Sequence, residues 1–175
     1  MTALYTRADY NLLPEGFPAQ LVEGQLVRDP SPVFGHQRTA LRIASLLSGL
    51  VGDSRMGIAP TDIVLDDFNV YQPDVVVFRT ALDDEAHGED VGIPLLAVEV
   101  LSPSTARRDR VVKRTRMLDA GVDEVWLVDR AAGMIEVYDR HRYRDVPRRA
   151  TKSDQLRSRV LDGFVLVPLE LFARS

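Results

Sequence analysis

The chain contains no cysteine among its 175 residues. That excludes disulfides, thiolate metal sites and cysteine nucleophiles, so any bound metal must be held by oxygen or imidazole ligands. No segment approaches the roughly 20 apolar residues of a membrane span, and the opening MTALYTRADYNLLPEGFP has no apolar core behind a basic start. A cytoplasmic protein is the expectation. A surplus of positive charge is also missing. The 22 basic and 26 acidic side chains give a net charge of −4 and a pI near 5.4, which argues against indiscriminate nucleic-acid binding. Absent too are an internal repeat, a low-complexity tract, a linker long enough to split domains, a glycine-rich phosphate loop, a serine-centred elbow and an HxxxH metal spacing.

What is present suffices for one core: 45% of the residues are hydrophobic, at a length usual for one domain, so residues 1–175 read as a single unit. Charge is unevenly spread. Residues 1–87 carry 6 basic and 12 acidic side chains, and residues 88–175 carry 16 and 14. Two basic runs dominate the second half: Arg107, Arg108, Arg110, Lys113, Arg114 and Arg116, then Arg140, Arg142, Arg144, Arg148, Arg149 and Lys152. Such runs are more often solvated faces than binding sites, and contact with a polyanion is the alternative.

QLVEGQLV reads as a short strand pair turning at Gly24, after which Asp29-Pro30-Ser31-Pro32 blocks regular structure. From Gly35 to Leu50 the residues Leu41, Ile43, Ala44, Leu46, Leu47 and Leu50 recur at three- and four-residue spacing, which predicts an amphipathic helix with His36 in its first turn. Three β-rich runs follow, Arg55–Ala59, Asp62–Leu65 and Val70–Phe78, and then a polar loop over 79–92. PLLAVEVL (94–101) has the pattern of a central strand buried on both faces. Thr105–Ala120 reads as a helix with Val111, Val112, Thr115 and Leu118 inward, closed by Gly121. VWLVD and MIEVYD form a hairpin across Arg130–Gly133, before charge-rich residues 140–160 and the apolar segment Phe164–Phe172.

Two residues conflict with their surroundings. Asp74, behind Pro73 at the head of VVVF, and Glu99, inside AVEVL, are single carboxylates in strands that otherwise want apolar side chains. A buried carboxylate must be protonated, paired with a cation or bound to metal. Spacing alone leaves an arginine pair as the simpler explanation; a hard divalent ion, which takes a few oxygens and keeps waters, is the other. Lys113 lies on the helix entered from the Glu99 strand and can project back over that strand's end.

PDVVVF, VEVLSPST, a basic helix with Asp109 and Lys113, GVDEVWLVD and IEVYD come in an order that resembles the bacterial Uma family of the PD-(D/E)XK nuclease superfamily. VEGQLV with Glu23 and Gly24, His36 at a helix start, and the closing LDGFVLVPLELF extend the likeness to nearly the whole chain. The resemblance implies an α/β restriction-endonuclease-like fold: a central mixed sheet flanked by helices, with an N-terminal β-hairpin and helix. It implies Asp74 and Glu99 as ligands of Mg²⁺, with Mn²⁺ as a substitute, and the carbonyl of Val100 completing the protein's share. One position departs from the superfamily. Leu101 stands where the strand usually carries its lysine, and Lys113 on the following helix matches the Uma family's replacement. Glu23 and His36 match further polar positions, with a turn or salt bridge for Glu23 and a capping or core role for His36 as competing readings.

The function so implied is metal-dependent hydrolysis of phosphodiester bonds in nucleic acid, DNA first, by Asp74, Glu99 and Lys113, with Arg107, Arg108 and Arg110 on flanking phosphates. Cutting both strands would suit a homodimer. The alternative is a nuclease-like fold that has lost cleavage and binds nucleic acid or a protein.

Overall fold

The computed structural model describes residues 4–14, 16–28 and 30–173; Asp29 of the expected helix-blocking tetrapeptide lies outside them. A short capped helix α1 (Arg7–Tyr10) leads into β1 (Gln20–Val22) and β2 (Gln25–Val27). They pair Val22 with Gln25, so Glu23 and Gly24 make a two-residue turn, both at positive φ as that reversal demands. Helix α2 (Phe34–Val51) follows, then β3 (Met56–Ile58), β4 (Ile63–Asp66), β5 (Asn69–Tyr71) and β6 (Val75–Val77).

The run expected from Val70 to Phe78 is therefore two strands in two sheets. β5 belongs to a four-stranded sheet ordered β2-β1-β5-β4, and β6 to a six-stranded sheet that also contains β7 (Leu96–Val100), β8 (Glu124–Asp129), β9 (Met134–Asp139) and β10 (Tyr143–Thr151). Between them lies Gln72-Pro73-Asp74. Proline has no N–H for the ladder and breaks the pairing there, so the chain changes sheets just before Asp74.

The larger sheet runs β10-β9-β8-β7-β6-β3. Its one parallel pair is β7 with β8; the other neighbours are antiparallel. The crossover between that pair is helical from 106 to 120: α3 (Ala106–Arg108), a π-turn (Asp109–Lys113) and α4 (Arg114–Ala120), ended by Gly121 in the left-handed conformation. β11 (Leu156–Arg157), β12 (Val165–Leu166) and α5 (Pro168–Phe172) complete the fold.

Alternation along the strands makes two cores. Leu96, Val98 and Val100 of β7 join Val75, Val77, Trp126, Val128, Ile135 and Val137 under Ile43 and Leu47 of α2. Ala97 and Leu101 turn the other way, to Met117, Leu118, Val125 and Leu127. Glu99 shares the face of Ala97 and Leu101 by the same period of two. Two expectations of inwardness need correction. On α2, Leu41, Leu46 and Leu50 are exposed. On the crossover helix Leu118 is buried and Val112 packs against the core as expected, but Val111 is 59% exposed, and Asp109, Lys113 and Met117 are buried at four-residue intervals. That helix covers a strand carrying a carboxylate, so the packed face holds a cation where an apolar stripe was expected.

Candidate active site

Register brings the two strand carboxylates together. β6 and β7 pair antiparallel with Val75 opposite Val98 and Val76 opposite Ala97, so the next residue outward from Val75, Asp74, comes beside Glu99. The Val100 amide donates to Asp74 Oδ2 at 2.7 Å and fixes that carboxylate on the strand end. His36 approaches the same oxygen from the first turn of α2, with Nε2 3.3 Å away. The hydrogen bond to Asp74, and secondarily the Val100 backbone, raise the imidazole pKa, while burial and Arg130 oppose the rise. Among the described residues, His36 Nδ1 is buried without a hydrogen-bond partner.

Lys113 does reach the strand. The π-turn sets it inward, 1% exposed, with its ammonium paired to Glu99 Oε1 and 5.5 Å from the centre of the Tyr71 ring. Burial drives the Glu99 carboxyl pKa up to about 8; Lys113 pulls it down, and the anions of Asp109 and Asp74 push it further up. For Lys113, burial works against the charge, but Glu99, Asp109 and Asp74 outweigh it and the ammonium is held more firmly than usual. Leu101 is buried on the Glu99 face, and the ammonium arrives from the helix above.

These groups line one cavity of about 540 Å³ that includes His36, Asp74, Glu99, Val100, Asp109 and Lys113. Two carboxylates and a carbonyl are hard oxygen donors of the kind that divalent Mg²⁺ or Mn²⁺ prefers. The Asp74 charge raises the cost of ionising Glu99, a repulsion such an ion would relieve. The donor set therefore fits a divalent cation, although the described residues contain no cluster of three or more histidine or acidic side chains suited to one.

Other sequence candidates lie elsewhere. Glu23 sits in the β1–β2 turn, half exposed, with Oε1 accepting from Arg116 at 2.7 Å and its amide bound to Asn69; it does not line the cavity. Arg108 lines the cavity and Arg107 is exposed beside it. Arg110 is committed, donating to Asp129 Oδ2 at 2.7 Å and to Glu136 Oε2 at 3.0 Å. It fastens the crossover helix to β8 and β9, so its guanidinium already has two carboxylate partners. Much of the second basic run is used likewise: Arg140 pairs with Asp123, Arg144 with Asp119, Arg148 with Glu124 and Arg149 with Glu136. Sequence reasoning passed over Tyr71, which floors the ammonium, and Arg130, which lines the cavity. The signal for Arg130 appears only with the topology: it follows the end of the strand parallel to β7, and ligands gather outside the carboxyl ends of parallel strands.

A mixed sheet flanked by helices, with one carboxylate on a strand, a second at the head of the neighbouring strand and a lysine in one cavity, defines a restriction-endonuclease-like protein. A crystal structure described as a putative nuclease belonging to DUF820 from Anabaena variabilis ATCC 29413 superposes with a TM-score of 0.80, at 19% identity, over 95% of this chain and 97% of that one. Residues 7–170 match the Uma2 family, described as putative restriction endonuclease, and the chain belongs to that family. No curated protein matches. Among the described residues, no helix is long and apolar enough to cross a membrane.

Proposed function

We propose that the protein is a divalent-metal-dependent endonuclease that hydrolyses phosphodiester bonds of DNA. One observation carries this reading: Asp74, Glu99 and Lys113, from three separate segments, meet in a single cavity with a compensated but desolvated charge balance. Asp74, Glu99 and the Val100 carbonyl would hold Mg²⁺, which when bound lowers the pKa of a coordinated water and offsets charge on the scissile phosphate. Lys113 keeps its proton on Nζ and donates to the attacking water or to a phosphate oxygen as negative charge builds there. His36 donates through Nε2 to Asp74 and holds that carboxylate in orientation, a role of outer-shell partners around metal ligands. Arg108 and Arg107 face flanking phosphates of the same strand, an attraction that salt weakens. Cleavage of both strands would be served by a two-fold dimer acting in the cytoplasm.

The test is a nicking assay on supercoiled plasmid with Mg²⁺ or Mn²⁺. Activity is expected, and it should disappear in Asp74→Ala and Glu99→Ala proteins whose circular dichroism is unchanged. A wild-type protein that binds DNA but cuts it with neither metal would sink the reading in favour of a non-cleaving binding module. Lys113→Ala should slow cleavage while leaving Mn²⁺ binding in place.

A further inference from the structure

We infer that Arg130 is a substrate-binding residue, its guanidinium gripping a backbone phosphate of the nucleic acid in the cavity; the assignment rests on the nuclease reading of that cavity. Arg130 follows Asp129 at the end of β8, where β7 and β8 run parallel and Leu101 still bonds to the Val128 carbonyl. The chain segments leaving both strands thus open on the same side, and Arg130 lines the cavity with Asp74, Glu99 and His36.

Its neighbours leave the charge uncommitted. Asp129, the nearest acid in sequence, is occupied by Arg110 through Oδ2 and by the Ala132 amide through Oδ1. Among the described residues Arg130 forms no ion pair, whereas Arg110, Arg140, Arg144, Arg148 and Arg149 all do. His36, in the same cavity, feels Arg130 as a repelling charge. A planar five-donor cation that lines a cleft and is paired with none of the carboxylates there suits the paired oxygens of a phosphate.

The seat of that cation is built by an absence. A Cβ placed on Gly35 would lie 2.1 Å from one terminal nitrogen of Arg130 and 2.8 Å from its guanidinium carbon. Gly35 does not have the positive φ that would demand glycine for the backbone's sake. In a helix glycine is otherwise an inferior choice, so the space for Arg130 is the physical reason for it here.

Affinity for a fluorescein-labelled DNA duplex, read by anisotropy in EDTA across a salt series, tests the assignment. Arg130→Ala should weaken binding about tenfold or more and lower the slope of log K against log salt by about one, with Arg130→Lys recovering part of the loss. Gly35→Ala should weaken binding in the same way with a melting temperature unchanged or raised, and should add nothing in the Arg130→Ala background. A purely structural arginine would not give that pattern. Wild-type affinity and salt slope in Arg130→Ala, in a protein that binds and nicks DNA, would overturn the assignment and leave the nuclease reading intact. Failure of the wild type to bind or nick any DNA would overturn both. Asp74→Ala run in parallel should bind while failing to cut.

Discussion

Replacing Lys113 by methionine keeps the buried stem and deletes the ammonium, and the consequence should depend on pH in a way set by Glu99. Folded Glu99 holds its proton up to about pH 8, whereas an unfolded glutamate loses it near 4.5. Between those values the native state binds one more proton than the unfolded state, so metal-free wild-type stability falls as pH rises, by a few kcal/mol in all. Above about 8 the wild type becomes a Glu99–Lys113 ion pair and the decline stops. Without Lys113 the main opposing charge is gone, Glu99 keeps its proton to higher pH, and the decline continues. Lys113→Met should thus be mildly destabilising at pH 6 and lose a further ~1.4 kcal/mol per pH unit above 8, up to the roughly 3–5 kcal/mol typical of a broken buried pair. At this chain length that is about 3–5 °C in Tm per pH unit. Urea unfolding in EDTA from pH 6 to 9.5 measures it, and Glu99→Gln combined with Lys113→Met should abolish the pH dependence. A destabilisation independent of pH would refute the coupling and the assignment of the raised titration to Glu99.

Removing the imidazole in His36→Ala should lower metal affinity or cleavage rate by about 10–100-fold, measured by Mn²⁺ titration and by nicking; wild-type values would dismiss the orienting contact. Arg110→Ala should lower stability by about 1 kcal/mol with no change in DNA affinity, which separates a fastening arginine from a phosphate-binding one. Glu124 is fully buried and accepts from Trp126 Nε1, Ser158 Oγ, the Arg159 amide and Arg148. Glu124→Ala strands those donors and should cost about 3 kcal/mol or more in chemical denaturation, far from the cavity and without specific loss of metal binding.

Asp74 and Glu99 were legible because an acid inside an apolar strand is a local contradiction, visible without any fold. The sheet to which each strand belongs was not legible: Val70–Phe78 is continuous in hydrophobicity, and only Pro73 marks where pairing changes partner. The helix over 106–120 is legible, with Leu118 inward, but the burial of Asp109 and Lys113 is not, since periodicity assumes an apolar surface beneath and here the strand offers Glu99. The ion pairs of Arg110 were hidden for a related reason. Charge runs look alike whether they face solvent or an acidic strand, and Glu136 and Asp129 lie in segments whose pairing with the helix only the topology reveals. Arg130 escaped notice because a single arginine after a strand carries no pattern until β7 and β8 are known to be parallel.

The π-turn from Asp109 to Lys113 gives this site an unusual dependence on phase. A lysine two residues along the strand from Glu99 would be aimed by the sheet's pleat, which no insertion in the helix could disturb. Here the aim is angular. The widened turn accommodates one residue beyond the regular winding, and deleting a single residue there would turn Lys113, with Met117 and Leu118 behind it, about 100° around the axis relative to the segment before the turn. The aim of Lys113 at Glu99 is thus written in the winding of the helix and not in the strand, so the ion pair depends on the length of the segment between Leu101 and Met117.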